Sequence, residues 1–542
     1  MNHGAGGRWR RRGSVFATLR MVCFLAVLVT PLIRTALTPK AALSDSEKRT
    51  LTEIPRLELT ARSVLSFPAR FEAYLNDHFG FRRECIQAFN YLQVRWLRRS
   101  PEEQVVLGRD GWLFYTGDRS IEDHRGFISL TPEELTKARL VLENRRDWLA
   151  DRGIRYLFVV APSKHSIYPE LLPDFLARRR GRTRFDQFLA YMGRESDFQV
   201  LDLRQILRSK KGDERLYLLS DTHWNPRGAY WAYTEIMRVV NQWFPEEEPL
   251  ERSRLVETSA DVPGGDLAQM LDLRGLFRES YPFLRPQEPC AEKKKEAVDL
   301  EAVRRAIPIM PGESAGFARG CDRSRLRAVA FRDSFLVSLE DFLAEHFAQI
   351  DFIWTHFDHS LVEKYIAVAK PDVILEEIVE RSFMEVLVTQ DLDVDALLSE
   401  RFSLSERSVL KYEGGVLPGL RTFGDVLIAG RPEGLDVVCR GGDPQLWLPP
   451  ASLDEGRSSI MRIILTVPAD TVFQVFYLTA ERPYHCEEQS IRRPVRSGLN
   501  ELYIEIPRAA CAADVRLDPG AVPGTYTLHE FDWRTRSDSH RM

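Results

Sequence analysis

Cysteine is scarce here: the 542 residues include seven. That excludes a small disulfide scaffold, and no CxxC or Cys/His cluster has metal-ligand spacing. An excess of basic charge is also missing. Lys and Arg number 75 against 79 Asp and Glu, a net charge of −4, so nothing points to a nucleic-acid partner. No internal repeat or low-complexity tract is present, so repeat architectures drop out. What is present is apolar: 44% hydrophobic and 10% aromatic residues, enough for a sizeable core. The length exceeds one domain and suggests about two to four units.

Long apolar runs are confined to one place. Arg8, Arg10, Arg11 and Arg12 precede "VFATLRMVCFLAVLVTPLIRTAL". Two readings stay open. A cleaved signal peptide would use the run from Met21 to Ile33 and the small residues near Ala41 and Ala42. An uncleaved anchor would use Val15 to Leu37, long enough to span a bilayer, with Arg20 and Arg34 near its ends able to snorkel. Either way the basic cluster stays inside and the body is exported. Cys290 and Cys321 bracket a polar stretch that reads as an insertion or lid; they are either bridged or free buried thiols.

From about residue 70 to 395, strand-like and helix-like segments alternate. "YLFVVAP" (156–162) is continuously apolar, as a strand buried on both faces should be. "FQVLDL" (198–203), "LYLL" (216–219), "RAVAF" (327–331), "IDFIW" (350–354) and "DVILEEI" (372–378) look similar. Helical patterns lie between them, including one over "SFLVSLEDFLAEHF". The alternation predicts an α/β domain with a mostly parallel sheet. Further upstream, a helix is expected from Pro68 onward, and Asp110-Gly111 signals a hairpin. After about residue 400 short alternating runs broken by Gly and Pro predict a separate C-terminal β-sandwich. The expected units are 1–40 (basic terminus and anchor or signal segment), 41–398 (α/β domain) and 399–542 (sandwich).

The chemistry concentrates in "DTHWNPRGA". Asn225-Pro226 is a helix start, a cap followed by a first-turn proline. Asp221 and His223 then lie on a short extended link, where residues two apart project to one side. The Asp221 carboxylate can fix the His223 tautomer and leave the other ring nitrogen as a base. Ser334 in "RAVAFRDSF" directly follows a buried strand and opens a helix. Its own N–H and its neighbour's are expected to lie unpaired there, ready to hold an oxyanion. Taken singly, Asp221 is a turn cap, His223 a structural histidine and Ser334 a helix cap. Together, in the order Asp, His, Ser, they make a triad, which is defined by geometry and not by order. As a metal site, Asp221 and His223 lack an evident third ligand, since His356 and His359 in "WTHFDH" are poorly spaced.

"DTHWNPRGA" and "RDSF" together resemble the SGNH-like acetyltransferases of bacterial polysaccharide export, of the alginate O-acetyltransferase type. "DHFGFR" (77–82), "GRDGWLFY" (108–115), "PSKHSIYP" (162–169) and "KPDVILEEIVER" (370–381) match that group in order. The resemblance covers roughly residues 45–385. It implies an SGNH-like domain in a periplasmic body, held to the inner membrane by an N-terminal segment. It implies transfer of acetyl groups onto sugar hydroxyls through a serine ester, with Ser334 as nucleophile, His223 as base and Asp221 as its orienting acid. It departs from the group at Arg332, where a glycine usually precedes the serine motif. That adds a positive charge near the site, one able to meet an anionic glycan. Asn225 is better explained as a cap than as an oxyanion donor.

The expectation is therefore an O-acetyltransferase acting on an exported or cell-surface polysaccharide. No metal or organic cofactor is needed. The resemblance implies that a membrane acetyl-transporting protein supplies the donor. The rivals are an acetyl esterase on the same glycans and a non-catalytic glycan-binding scaffold of an export complex. The sandwich is either plainly structural or sugar-binding.

Overall fold

The computed structural model describes residues 6–37, 43–44, 49–56, 60–178, 181–300, 316–405, 407–424, 426–451, 458–508 and 510–535. The cleavage region expected at Ala41 and Ala42 and the centre of the expected insertion, 301–315, lie outside them. The apolar N-terminal run is one helix, α1 (Gly6–Leu37). Its Thr18–Thr35 stretch is long and apolar enough to cross a membrane; its described side chains are exposed except Pro31 and Thr35 at its end, which are half-buried. Helices α2 (Ala61–His78) and α3 (Arg82–Arg95) follow. Pro68 lies inside α2 and not at its start.

The hairpin expected at Asp110-Gly111 forms between β1 (Val105–Leu107) and β2 (Leu113–Tyr115). Asp110 and Gly111 both take positive φ there, 52° and 81°, the conformation that tight turns ask of Asp, Asn and Gly. Helix α4 (Pro132–Ala150) opens on a capping box of Thr131 and Glu134. Then come β3 (Arg155–Ala161), β4 (Leu201–Asp202), helix α5 (Pro226–Trp243), a long hairpin of β5 (Leu255–Pro263) with β6 (Arg278–Pro286), and strands β7 (Glu292–Lys294), β8 (Gly316–Gly320), β9 (Arg327–Phe331), β10 (Gln349–Ile353) and β11 (Val373–Val379).

Seven strands form one sheet in the order β4-β3-β11-β9-β10-β8-β7. The first five are parallel; β8 and β7 add an antiparallel edge. Side chains alternate between two cores. Leu157, Val159, Ala328 and Ala330 face one, with α5; Phe158, Val160, Val329 and Phe331 face the other, with α4. Both sheet faces are covered, which is why these strands read as unbroken apolar runs. Strand β9 lies between β10 and β11, so the crossovers that follow it leave on opposite sides. The carboxyl end of β9 is thus a topological switch point, where such sheets place ligands.

Beyond Arg407 the described residues form antiparallel strands and a single short 3-10 turn. Two sheets face each other, one centred on Gly524–Thr535 and Ser459–Val467, the other on Ala510–Asp518 and Thr471–Thr479. Met461, Ile463, Val475, Val515 and Trp533 fill the space between them. The chain is α/β with a mostly parallel sheet and carries a β-sandwich at its C-terminal end.

Three local expectations are corrected. "LYLL" is no strand: it is buried, but Tyr217 makes only an isolated bridge to Trp224. "FQVLDL" pairs only through Leu201–Asp202. The helix after Ser334 is broken into a 3-10 turn (Leu336–Leu339), four α residues (Glu340–Leu343) and a second 3-10 turn (Ala344–His346). Cys290 and Cys321 are joined by a disulfide.

Candidate active site

Ser334 sits just beyond the carboxyl end of β9. The parallel pairing continues one residue past the strand, because the Arg332 N–H donates to the Ile353 carbonyl (3.0 Å). Asp333 then builds the turn. Its carboxylate accepts from the Phe335 N–H and from the Val379 N–H, both at 2.8 Å, and its own N–H donates to Glu377 (3.2 Å). Glu377 is buried in the middle strand β11. Burial, and then the charge of Asp333, push its carboxyl well above the usual range.

The other half of the site comes from the loop 216–225. Asn225 donates its N–H back to the Leu216 carbonyl (2.8 Å), closing the loop. Its side chain accepts from the Arg227 and Gly228 N–H groups and so caps α5. This loop joins no sheet; side chains hold most of it, and the Leu113 and Ala268 N–H groups donate to the Leu219 (2.9 Å) and Ser220 (3.1 Å) carbonyls. Glu279 on β6 accepts from the Leu219 N–H (2.7 Å), the Ser220 N–H (3.1 Å) and the Ser220 hydroxyl. Lys164 is fully buried and donates to the carbonyls of Leu113 (2.7 Å), Leu219 (2.8 Å) and Asp221 (2.9 Å). Asp266 accepts from the Thr222 N–H (2.7 Å) and hydroxyl. Burial lowers the Lys164 ammonium to about 7 against the pull of Asp221 and Glu279.

These two halves meet. Asp221 Oδ1 lies 2.7 Å from His223 Nδ1, and His223 Nε2 lies 2.7 Å from Ser334 Oγ. Asp221 also accepts from the His223 N–H (2.9 Å) and the Asp266 N–H (3.1 Å). The network assigns the ring proton to Nδ1, facing the carboxylate, and leaves Nε2 to accept from the serine hydroxyl. Burial works against the charged ring, but the hydrogen bond and charge of Asp221 outweigh it and raise the His223 pKa above its ordinary value. Burial likewise opposes the Asp221 carboxylate, yet its bonds to His223 bring it down to about 2. A carboxylate, an oriented imidazole and a hydroxyl in line can generate a serine nucleophile.

Trp224, the last residue of "DTHW", couples the halves. Its indole N–H donates to the Phe335 carbonyl (2.9 Å), and its ring packs on Phe335. Gly265 sets another distance. A Cβ there would sit 2.2 Å from Asp221 Oδ2, so only glycine lets the carboxylate come this close.

Two expectations about the nucleophile change. Of the two N–H groups expected to face an oxyanion, that of Phe335 is taken by Asp333; the Ser334 N–H has no partner among the described residues. Arg332 is not a surface charge. It is 4% exposed, ion-paired with Glu340 (3.1 Å) and stacked over Trp354 (4.4 Å), so it does not face a ligand. Sequence reasoning named no role for Lys164, Glu279 or Asp266. Lys164 stands in the quoted "PSKHSIYP". Asp266 follows a Gly-Gly pair and starts the short helix Asp266–Met270, a signal that was available.

Asp221, His223 and Asp266 each offer one ligand atom within 4.8 Å of the others, so a third carboxylate does stand beside the pair. Those atoms are already committed: Asp221 Oδ1 to two His223 nitrogens, and Asp266 to Thr222 and the Leu267 N–H. A cation there would have to displace the bonds that orient the histidine. His359 instead packs edge-on against Trp148 and Phe357.

Residues 105–304 match the family described as an SGNH hydrolase-like domain of the acetyltransferase AlgX. The chain resembles the SGNH-like polysaccharide O-acetyltransferases of the alginate type. The matched segment contains Asp221, His223 and Asp266 and stops short of Ser334. The probable alginate O-acetylase AlgJ of Pseudomonas syringae pv. tomato is 28% identical over 221 residues, 40% of this chain and 53% of the relative. The Pseudomonas putida protein of the same name is 30% identical over 180 residues, 33% and 44% of the two chains. The chain thus spans about half the length of the curated relatives it matches. Among solved structures, the O-acetyltransferase domain of Pseudomonas putida AlgJ aligns with a TM-score of 0.34 and 21% identity, over 53% of this chain and 94% of that one. Pseudomonas aeruginosa AlgX aligns with a TM-score of 0.32 and 14% identity, over 80% and 94%.

Proposed function

We propose that the chain is an exported O-acetyltransferase that moves acetyl groups onto hydroxyls of a polysaccharide through an acetyl-serine at Ser334. The observation that carries this reading is the in-line contact of Asp221, His223 and Ser334 at the end of β9, at 2.7 Å for each link. The family resemblance around Asp221 and His223 supports the reaction class. In the first half-reaction His223 Nε2 takes the hydroxyl proton as Ser334 Oγ bonds to the acetyl carbonyl carbon. In this reading the Ser334 N–H donates to the oxyanion, and collapse expels the donor's leaving atom, which receives the proton from His223. In the second, a sugar hydroxyl gives its proton to His223, attacks the acetyl-serine and releases Ser334 Oγ, which recovers its proton.

The location reading has separate support. Helix α1 has the length and apolarity of a membrane span, and a disulfide suits an oxidising compartment. We read residues 1–40 as an inner-membrane anchor, 41–398 as the periplasmic catalytic domain and 399–542 as an accompanying sandwich. Helix Val394–Ser403 joins the last two, with Leu398 and Phe402 packed beside Leu140 and Ile460. The resemblance to the alginate-type acetyltransferases supports a membrane acetyl-transporting protein as the source of the donor.

The test is to incubate the protein with a small activated acetyl ester, quench in acid and map the peptides by mass spectrometry. One acetyl group on Ser334 is expected, absent in His223→Ala. Adding an acetyl-free polysaccharide should then move the label to sugar faster than water releases it. Release to water alone, whatever the glycan, makes the protein an esterase. No acetyl on Ser334 in folded protein leaves a binding scaffold and ends the enzyme reading.

A further inference from the structure

Helix α3 is amphipathic in the wrong sense for a surface helix. The face it turns to the body is largely polar. Arg83 pairs with Asp272 (3.7 Å), Gln87 donates to Asp272 (3.3 Å) and Asn90 donates to the Leu271 carbonyl (2.9 Å), with Val94 packed alongside. Residues 83, 87, 90 and 94 make one stripe. The stripe two positions on is about 200° away around a helix of 3.6 residues per turn. It holds Cys85, Phe89, Leu92 and Trp96, and it points outward: Phe89 is 57% exposed, Leu92 51% and Trp96 76%. Val64, Leu65 and Phe71 of α2 are exposed as well. An exposed apolar stripe of this kind on α3 marks an interaction site.

What lies next to this surface narrows the occupant. The corner between α2 and α3 is clamped to the end of α1. The Gly80 N–H donates to the Thr35 hydroxyl (2.8 Å), and a Cβ on Gly80 would sit 2.4 Å from the Pro31 carbonyl. Arg34 pairs with Glu84 (2.5 Å) and lies over the Phe81 ring (4.1 Å). Pro31–Thr35 is the last turn of the span-length stretch Thr18–Thr35, which sets Gly80–Glu84 at the level where that stretch ends. Aromatic residues mixed with flanking arginines, here Arg82, Arg95, Arg98 and Arg99, suit the headgroup region, where rings sit half-immersed and guanidinium groups reach water.

We propose that the outward stripe of α3, with Val64, Leu65 and Phe71 of α2, lies in the interface of the bilayer that α1 crosses, fastening the catalytic domain to the lipid surface. This rests on reading α1 as a membrane anchor. The acceptor is the lipid itself, and an anchored body can then work only on glycan delivered close to the membrane.

The experiment uses the full chain in protein-free vesicles of phosphatidylethanolamine and phosphatidylglycerol. Cys23→Ser, Cys439→Ala, Cys486→Ser and Cys511→Ser leave Cys85, on the stripe, as the one thiol outside the Cys290–Cys321 disulfide for a bimane label. Bimane at Cys85 should lose most of its emission when the acyl chains are brominated and should resist aqueous iodide. A label at Leu499→Cys on the sandwich, with Cys85→Ser, should behave oppositely. Phe89→Glu with Leu92→Glu should return the Cys85 label to iodide while ester cleavage is unchanged. Alkaline carbonate extraction reports on α1 separately. Protein released by carbonate defeats the anchor reading. Protein that stays inserted with Cys85 open to iodide overturns the interfacial proposal alone. Shielding from iodide without bromide quenching also overturns it, since a second copy then covers the stripe.

Discussion

The two sides of the site are held by different means. Ser334 stands on the sheet: β9 runs between two parallel neighbours, and the turn past it is tied to β10 through Arg332 and to β11 through Val379 and Glu377. The 216–225 loop has no sheet beneath it. Its backbone groups are caught by Glu279, Lys164, Asp266 and the Tyr168 hydroxyl, the last accepting from the Leu216 N–H (3.0 Å). A ladder of backbone bonds tolerates the loss of one side chain. A loop held mostly by four side chains, with only the Leu113 and Ala268 N–H groups besides, tolerates it less. Damage on the loop side should therefore appear in rate, and damage on the strand side in stability.

The largest expected effect is on the reacting atoms. Ser334→Ala should lower acetate release from a small ester by about 10⁴-fold or more, with an unchanged thermal transition. His223→Ala should match it, and the double variant should be no worse. Equal activity in folded Ser334→Ala removes the nucleophile assignment. Next is Gly265→Ala. Its Cβ would overlap the Asp221 carboxylate, at 2.2 Å, and a displacement of that size costs about 10²-fold in kcat. KM should change little, because in the proposed reaction the half-buried Asp221 carboxylate orients His223 and touches no substrate. A large loss of stability with normal kcat would reverse the comparison on this side.

Lys164→Met removes the donor from three carbonyls at once. Unfolding free energy should fall by about 2 kcal/mol, less than three independent losses because a buried ammonium is also removed, and kcat should fall about tenfold. Lys164→Arg should restore the stability in part. On the strand side, Arg332→Gly leaves Glu340 buried without its partner. Burial already holds Glu340 up to about 7. Stability should drop by about 3 kcal/mol while ester cleavage by the remaining folded protein persists.

The smallest effect is a shift along the pH axis. The proposed reaction needs neutral His223, so the rate should fall as pH drops through its pKa. Asp221 raises that pKa above the ordinary 6.5, which puts the acid limb above pH 6.5. Asp221→Asn should move the limb to lower pH and reduce the plateau, since the charge that stabilises the imidazolium is gone. A limb that stays in place in this variant means the titrating group is not His223.

The apolar runs at 156–162, 327–331, 350–354 and 372–378 were legible as strands because both sheet faces are covered and nothing interrupts the pattern. "LYLL" carried the same signal and is not a strand. Leu216 and Tyr217 are fully buried, and side chains from elsewhere satisfy their backbone, so apolarity reported burial and not pairing. The antiparallel edge of β7 and β8 and the β5–β6 hairpin were not read at all. Both are partly exposed and mix charge with apolar residues, which blurs a period of two. Asp221, His223 and Ser334 could be named because each is a chemically capable residue at a turn. Lys164 and Glu279 could not, because their value lies in carbonyls and amides far off in the chain; Asp266 offered only its place at a helix start after a Gly-Gly pair.

The sequence by itself determined the class of the fold, since periodicity and turn residues act locally. It determined the cap at Asn225, whose partners are two and three residues away. It also determined the apolar helix at the start, since length and hydropathy are local sums. Only the tertiary structure decided that Ser334 Oγ meets His223, 111 residues earlier in the chain, and that Arg332 is buried against Glu340 instead of facing a ligand. It alone decided which face of α3 turns outward. Those are contacts between segments, and their free energy belongs to the packed whole.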